Sequence, residues 1–434
     1  MFYLFPFILI MICTLFYIQM AVARRGKSQF LDIGLLFVII VSIYGIFPSI
    51  GFIMASFGIG EIADGRQPGY PNIYLIEYIE SLFVVFLLGF IAAYIAIRRY
   101  SAVRQDHGAI GASYFGPVVF LAIALLVAIP LAKIFLGVRF SSDYAGTYTE
   151  LRTLPLIFQQ LFNVAEQVSF ALVLCAIVSG TAAHPERHRQ YLVGIILYIV
   201  YAILSGGSRS QAFLSFFAYL VAVSIYVPGF NFRRLIPIGL AGLALFMIAG
   251  FVRGYTEGDS YLALLQSGEF MSLFVTGIDL KQRVDAGFVG NFGLQFYLVD
   301  FLRFVPSQVV GAAKIDPATW YVQTFYPDFY DSGGGLAFGA MAEAVVGFGR
   351  AEAAMRGAVL GTIFAFAANR LVDRKVGLIS VFVYVWLAVV SYQSFRDTTL
   401  SFVSRGVFQA LPVILILLLV RRERKSQGVS GASA

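Results

Sequence analysis

The sequence predicts an all-α polytopic membrane protein, and three observations carry that reading. Apolar residues fill 59% of the 434 positions and charged residues only 13%, about half the charged share of a soluble domain. Apolar runs recur at the ~20 residues that a helix needs to cross hydrocarbon. The mean hydropathy is +0.82. Disorder is excluded, because the chain has ample apolar material to bury. A membrane barrel would alternate in strands of about 10 residues instead.

Taken in order, the apolar runs give eleven crossings, at about 2–22, 31–56, 75–97, 116–137, 156–180, 191–206, 210–228, 235–252, 354–371, 376–393 and 400–420. The first, MFYLFPFILIMICTLFYIQMAVA, has no basic start and no small-residue cleavage site, so it reads as a helix rather than a signal. Arg24, Arg25 and Lys27, then Arg98, Arg99 and Arg104, then Arg187 and Arg189, then Arg233 and Arg234, then Arg374 and Lys375 fall in alternate loops, and Arg421, Arg422, Arg424 and Lys425 follow the last helix. By the positive-inside rule these loops and the C-terminus lie inside, and the N-terminus outside. The net charge of +7 therefore suggests topology rather than nucleic acid, for which no motif is present.

The outer side receives a Gly/Pro/Asp loop at 57–74, a polar aromatic loop at 138–155 and the largest loop at 253–353. The last divides the chain into a membrane domain 1–252, an outer loop 253–353 and a second membrane segment 354–425, before a disordered tail 426–434. Within that loop, NFGLQFYLVDFLRFVPSQVV is apolar except where Asp300 and Arg303 interrupt it, which suits an interfacial helix. LAFGAMAEAVVGFG (336–349) is too short to cross; it either re-enters from outside or packs on the outer helix ends. Cys13 and Cys175 both sit inside apolar spans, so neither a disulfide staple nor a cysteine metal site is expected.

Charge near the spans gathers toward the outer side, and intramembrane charge usually faces a cavity. In SGGSRSQ (205–211), the glycines end one helix and Ser208 can cap the next, which Arg209 opens. Arg253 follows the eighth crossing, Arg396 the tenth, and Arg405 lies one or two turns into the last. Paired guanidinium donors suit phosphate or diphosphate; the alternatives are snorkelling to lipid or pairing with acids such as Asp397 and Glu257. Glu343, inside an apolar helix, is the candidate general base or acceptor-hydroxyl ligand, or else a structural partner of an arginine. Glu166, beside Asn163 and Gln167, either lines a substrate cavity or locks helices together, with the lock favoured. Asp143 and Tyr144 could bind sugar hydroxyls. Lys133 is expected to snorkel outward.

All three histidines, His107, His184 and His188, fall in inner loops. An outer site would lack imidazole, which argues against a Ser–His hydrolase, a histidine-dependent acyltransferase and an imidazole-held zinc ion there. No phosphate-binding Walker loop or dinucleotide fingerprint is present.

Arg209 in LSGGSR, the stretch FVPSQVVGAAKIDP with Lys314, and GGGLAFGAMAEAVVGFG together resemble the bacterial O-antigen polymerases. The likeness is moderately specific from about 200 to 400 and rests on hydropathy alone before 190. It implies a GT-C-type glycosyltransferase fold in the bacterial inner membrane, with an active site facing the periplasm. The substrate would be an undecaprenyl-diphosphate-linked oligosaccharide, a component of lipopolysaccharide or exopolysaccharide synthesis. A hydroxyl of an incoming repeat unit would attack the anomeric carbon, and the lipid diphosphate would leave. Arg209, Arg253 and Arg396 would stabilise that leaving charge, Glu343 would take the hydroxyl proton, and Arg405, Lys314, Asp143, Tyr144 and Glu166 would bind substrate. The resemblance asks for no metal and no cofactor, and it leaves room for a chain-length regulator protein as partner alongside membrane lipids. The related O-antigen ligases depend on a periplasmic histidine, so this chain reads as a polymerase before a ligase. A transporter of lipid-linked sugars is the third reading; it should show paired repeats and a midplane charge pair.

Overall fold

A computed structural model describes residues 4–24, 31–57, 72–99, 108–138, 150–151, 153–204, 209–227, 269–293, 295, 302, 316–331, 335–371 and 377–430. Every regular element among them is helical. Six helices are long and apolar enough to cross a membrane, and three shorter apolar ones accompany them among the described residues. The chain is thus a multi-pass membrane protein by length and composition of its helices.

The helices are α1 (Leu4–Arg24), α2 (Ile33–Ser56), α3 (Ile73–Ile97), α4 (Gly108–Phe135), α5 (Leu156–Ala183), α6 (His188–Leu204) and α7 (Arg209–Tyr226). After a gap come α8 (Glu269–Asp285), α9 (Pro317–Phe325), α10 (Pro327–Asp331), α11 (Gly339–Val346), α12 (Arg350–Arg370), α13 (Leu378–Val390), α14 (Gln393–Arg396), α15 (Thr399–Arg405) and α16 (Leu411–Ser430). Ten of the eleven expected crossings coincide with helices; the eighth, 235–252, lies outside the described residues. So does most of the expected interfacial helix at 291–310.

The segment 253–353, expected as an outer loop with interfacial helices, contains the buried helix α8, in which Met271, Phe274, Val275, Ile278 and Leu280 are wholly enclosed. Asp279, Lys281, Arg283 and Asp285 in its second half lower the hydropathy that a window search sees. Residues 426–430, assigned to a disordered tail, continue α16.

The tightest packing joins α3 to α12. A Cβ on Gly357 or Gly361 would meet the Phe86 or Phe90 carbonyl, and one on Gly89 the Ala354 carbonyl. Small residues four apart let two backbones touch where lipid supplies no hydrophobic drive for association. Phe37, Phe90 and Phe364 interlock beside that seam, with centroids 4.6 to 5.7 Å apart. At the α2 N-terminus, Asp32 caps Leu35 N–H at 3.0 Å and accepts from Tyr94 at 2.9 Å. Asn369 accepts from Arg98 at 3.1 Å and from the Arg99 N–H at 2.6 Å. These bonds tie α2, α3 and α12 at the expected inner face.

On α8, buried Asp279 accepts hydroxyl hydrogens from Tyr321 (2.6 Å) and Tyr326 (2.9 Å) and the Arg283 Nε–H (3.0 Å). Burial, then the Asp279 charge, push the Tyr326 phenol above its ordinary range, which keeps it a donor. Arg283 also lies over the Phe325 ring at 4.1 Å. The short helices α9 and α10 are thereby pinned to the core.

Candidate functional site

The helix that carries Glu343 begins at Gly339, whose φ is +72°. A Cβ there would crowd Leu273 and approach the Arg396 and Phe395 carbonyls at 3.2 and 3.3 Å. Only glycine meets both demands, so α11 is seated directly against the end of α14. All eight residues of α11 are buried.

Glu343 is 1% exposed and fully engaged. Its carboxylate accepts the Thr399 N–H at 3.1 and 3.2 Å, the Thr399 hydroxyl at 2.8 Å and the Arg356 Nη1–H. The negative charge therefore sits on the first turn of α15, where exposed N–H groups favour it. Arg356 donates in turn from Nε and Nη2 to Glu352 Oε1 at 2.9 and 2.7 Å. Glu352 Oε2 reaches back to the Phe348 N–H at 2.8 Å, closing the start of α12 as the acidic member of a capping box does. One guanidinium thus bridges two buried carboxylates from two helices. Of the alternatives held for Glu343, the geometry has the arginine pair. Its partner is Arg356, which the sequence reading did not single out. Three donors, the Thr399 N–H shared between both oxygens, the Thr399 hydroxyl and Arg356, thus occupy the carboxylate.

The chain then breaks. Past α13, Ser391 and Ser394 return their hydroxyls to the Ala388 and Ser391 carbonyls at 2.7 Å. One turn of helix follows, then Asp397 in extended conformation, then Thr398 capping the Ser401 N–H at 3.2 Å. Arg396 and Arg405 flank this break. Arg405 Nη2 donates to Asp397 Oδ2 at 2.8 Å, and Arg396 Nη1 lies 4.0 Å from Asp397 Oδ1. Arg396 and Arg405 keep 30% and 25% of their side chains exposed. Directly after Arg405, residues Gly406–Ala410 wind as a π-helix, a device common at functional sites. It is fixed by the Trp386 Nε1–H on Gln409 at 3.0 Å.

The structure therefore brings together Glu343, Arg396 and Arg405 around the 396–405 segment. It adds Arg356, Glu352, Asp397 and Thr399. The spacing of Glu352 and Arg356, four apart at the edge of an apolar span, was the available signal for that pair. Glu166 stands elsewhere, on α5. Lys133 of α4 donates to it at 2.5 Å and is almost enclosed, so Lys133 does not snorkel; a buried ammonium takes a carboxylate when one is in reach. The lock between helices is the reading that this pair favours. Arg209 opens α7 as expected, but its side chain lies outside the described part. Arg253, Lys314, Asp143 and Tyr144 also lie outside the described residues.

Among the described residues no group of three or more His, Cys, Asp and Glu could hold a metal ion. No family model, no curated protein and no solved structure matches the chain.

Proposed function

We propose that the chain is a GT-C-type membrane glycosyltransferase, with about eleven crossings, that polymerises undecaprenyl-diphosphate-linked oligosaccharide units in the bacterial inner membrane. The carrying observation is that two partly exposed arginines, Arg396 and Arg405, both lie beside Asp397 at a break between helices. The phosphates of a lipid diphosphate fit the paired donors.

In this reading a hydroxyl of the incoming unit forms the new bond at the anomeric carbon, and the lipid-diphosphate bond breaks. Fixed positive charge stabilises the leaving diphosphate, worth a few kcal/mol per donor by analogy with oxyanion holes. Arg209 and Arg253 would complete the clamp. Glu343 holds Arg356 and the start of α15, and so sets the position of Arg396 and Arg405. The site faces the periplasm, the side opposite the basic loops.

The test is purified protein given a lipid-diphosphate repeat unit. A ladder of longer glycans with released lipid diphosphate supports the proposal. Movement of the unit across vesicles without bond formation rejects it in favour of transport.

A further inference from the structure

A second acidic site lies on α3, apart from the arginines. Glu80 is 1% exposed inside a membrane-crossing helix. Its Oε1 lies 2.6 Å from Ser49 Oγ on α2, and its Oε2 is enclosed with no hydrogen-bond partner. Glu77, one turn earlier, likewise has an enclosed Oε1 with no partner. Residues three apart share a helix face, so the two carboxyls are neighbours.

The hydrogens can be counted. Ser49 Oγ lies within bonding distance of two oxygens, Glu80 Oε1 at 2.6 Å and the Gly45 carbonyl at 2.8 Å. A hydroxyl has one hydrogen to give. If Glu80 is ionised, all three oxygens must share that hydrogen. If Glu80 is an acid, its O–H donates to Ser49 Oγ, and Ser49 donates to Gly45. Both short distances are then ordinary hydrogen bonds.

The charged groups on neighbouring elements are engaged elsewhere. Lys281 of α8 bonds Asp285 and lies over the Tyr78 ring at 4.8 Å. Arg350 of α12 bonds Ser81 at 2.8 Å and also lies over Tyr78. Glu343 of α11 and Glu352 and Arg356 of α12 bond one another. From α2 come Tyr44, packed on Phe395, and Asp32 at the far end with Tyr94; from α1 comes Tyr17, also against Tyr94. No ion pair joins Glu77 or Glu80 to any described residue. A carboxylate enclosed as Glu80 is, without a cation beside it, does not ionise readily out of water.

We propose that Glu80 is a proton-binding site within the membrane domain, holding one proton on Oε1 against Ser49. The ligand is the proton itself. The site stands independently of the glycosyltransferase reading.

An acid in apolar surroundings reacts with an apolar carbodiimide. The acid proton moves to a carbodiimide nitrogen and the carboxyl oxygen bonds the central carbon. The acyl group then migrates to nitrogen, and nothing leaves. The full chain in lipid nanodiscs is treated with dicyclohexylcarbodiimide near neutral pH, and adducts are mapped by mass spectrometry. Glu80, the enclosed acid, is expected to carry the adduct. Infrared spectra should show a protonated-carboxyl carbonyl band that Glu80→Gln removes; the Gln amide can donate to Ser49 as the acid does. A band that is missing, or that survives unchanged in Glu80→Gln, overturns the proposal whatever the labelling. If Glu80→Gln fails to fold, labelling of the unaltered chain decides, and adducts on Glu77 without Glu80 overturn it.

Discussion

Arg356 binds Glu343 across thirteen positions of sequence while also holding Glu352 on its own helix. The consequence is energetic. Removing the cation from between two buried carboxylates leaves charge without a partner, which costs about 3–5 kcal/mol. Arg356→Ala should therefore unfold in detergent at markedly lower denaturant than the parent chain. Glu343→Gln should lose less, since an amide still accepts from Thr399.

The arginines at the helix break have a different expected signature. Arg396→Ala and Arg405→Ala should insert and fold normally while chain growth falls about 10²–10³-fold for each donor. Arg209→Ala and Arg253→Ala should behave alike. Glycan ladders from membranes of each variant measure this, and full ladders from all four would remove the diphosphate clamp.

The pair on α4 and α5 can be tested by a double-mutant cycle. Lys133→Met alone strands Glu166, whereas Lys133→Met with Glu166→Gln strands nothing. The two changes should couple by about 0.5–3 kcal/mol, read from unfolding in detergent. Additive losses would mean that the contact does not hold the helices together.

Orientation is open to direct labelling. In a chain lacking Cys13 and Cys175, cysteine at position 331 should react with an impermeant maleimide added outside, and cysteine at 425 only after permeabilisation. The reverse pattern would invert the topology and move Arg396 and Arg405 to the wrong side for a periplasmic substrate.

The seam between α3 and α12 predicts a packing defect. Gly357→Val would drive its side chain into the Phe86 carbonyl, and overpacking of this kind costs about 1–3 kcal/mol or more. Folded yield after solubilisation should drop, and Gly194→Val, with open space around it, should not reproduce the loss.

Much of this fold was legible in the sequence, because hydropathy over twenty residues is a strong signal. That signal marked helices such as α2, α3 and α5 closely. It failed on α8, whose buried half is only about ten residues and whose other half carries a charge network. For the site, position along the chain was readable but pairing was not. Arg396, Arg405 and Glu343 were identifiable as charges beside apolar helices. That Glu343 would bond Arg356 rather than stand free depends on α11 docking against α14. The Gly339 backbone permits that docking, and no local pattern announces it. Lys133 failed similarly, since its counterion lies thirty-three positions away on another helix.

The glycine seam carries one last implication. Carbonyls of α3 nested against the glycines of α12 cannot slide past them without collision, so these two helices translate as one rod. Any rearrangement that admits a bulky substrate must then be taken up by other parts. The helix α4 suits that task, since its outer flank at Phe120, Ile123, Val127 and Leu131 faces away from the protein. Motion in this protein should accordingly be sought as swinging of α4 about a stationary rod.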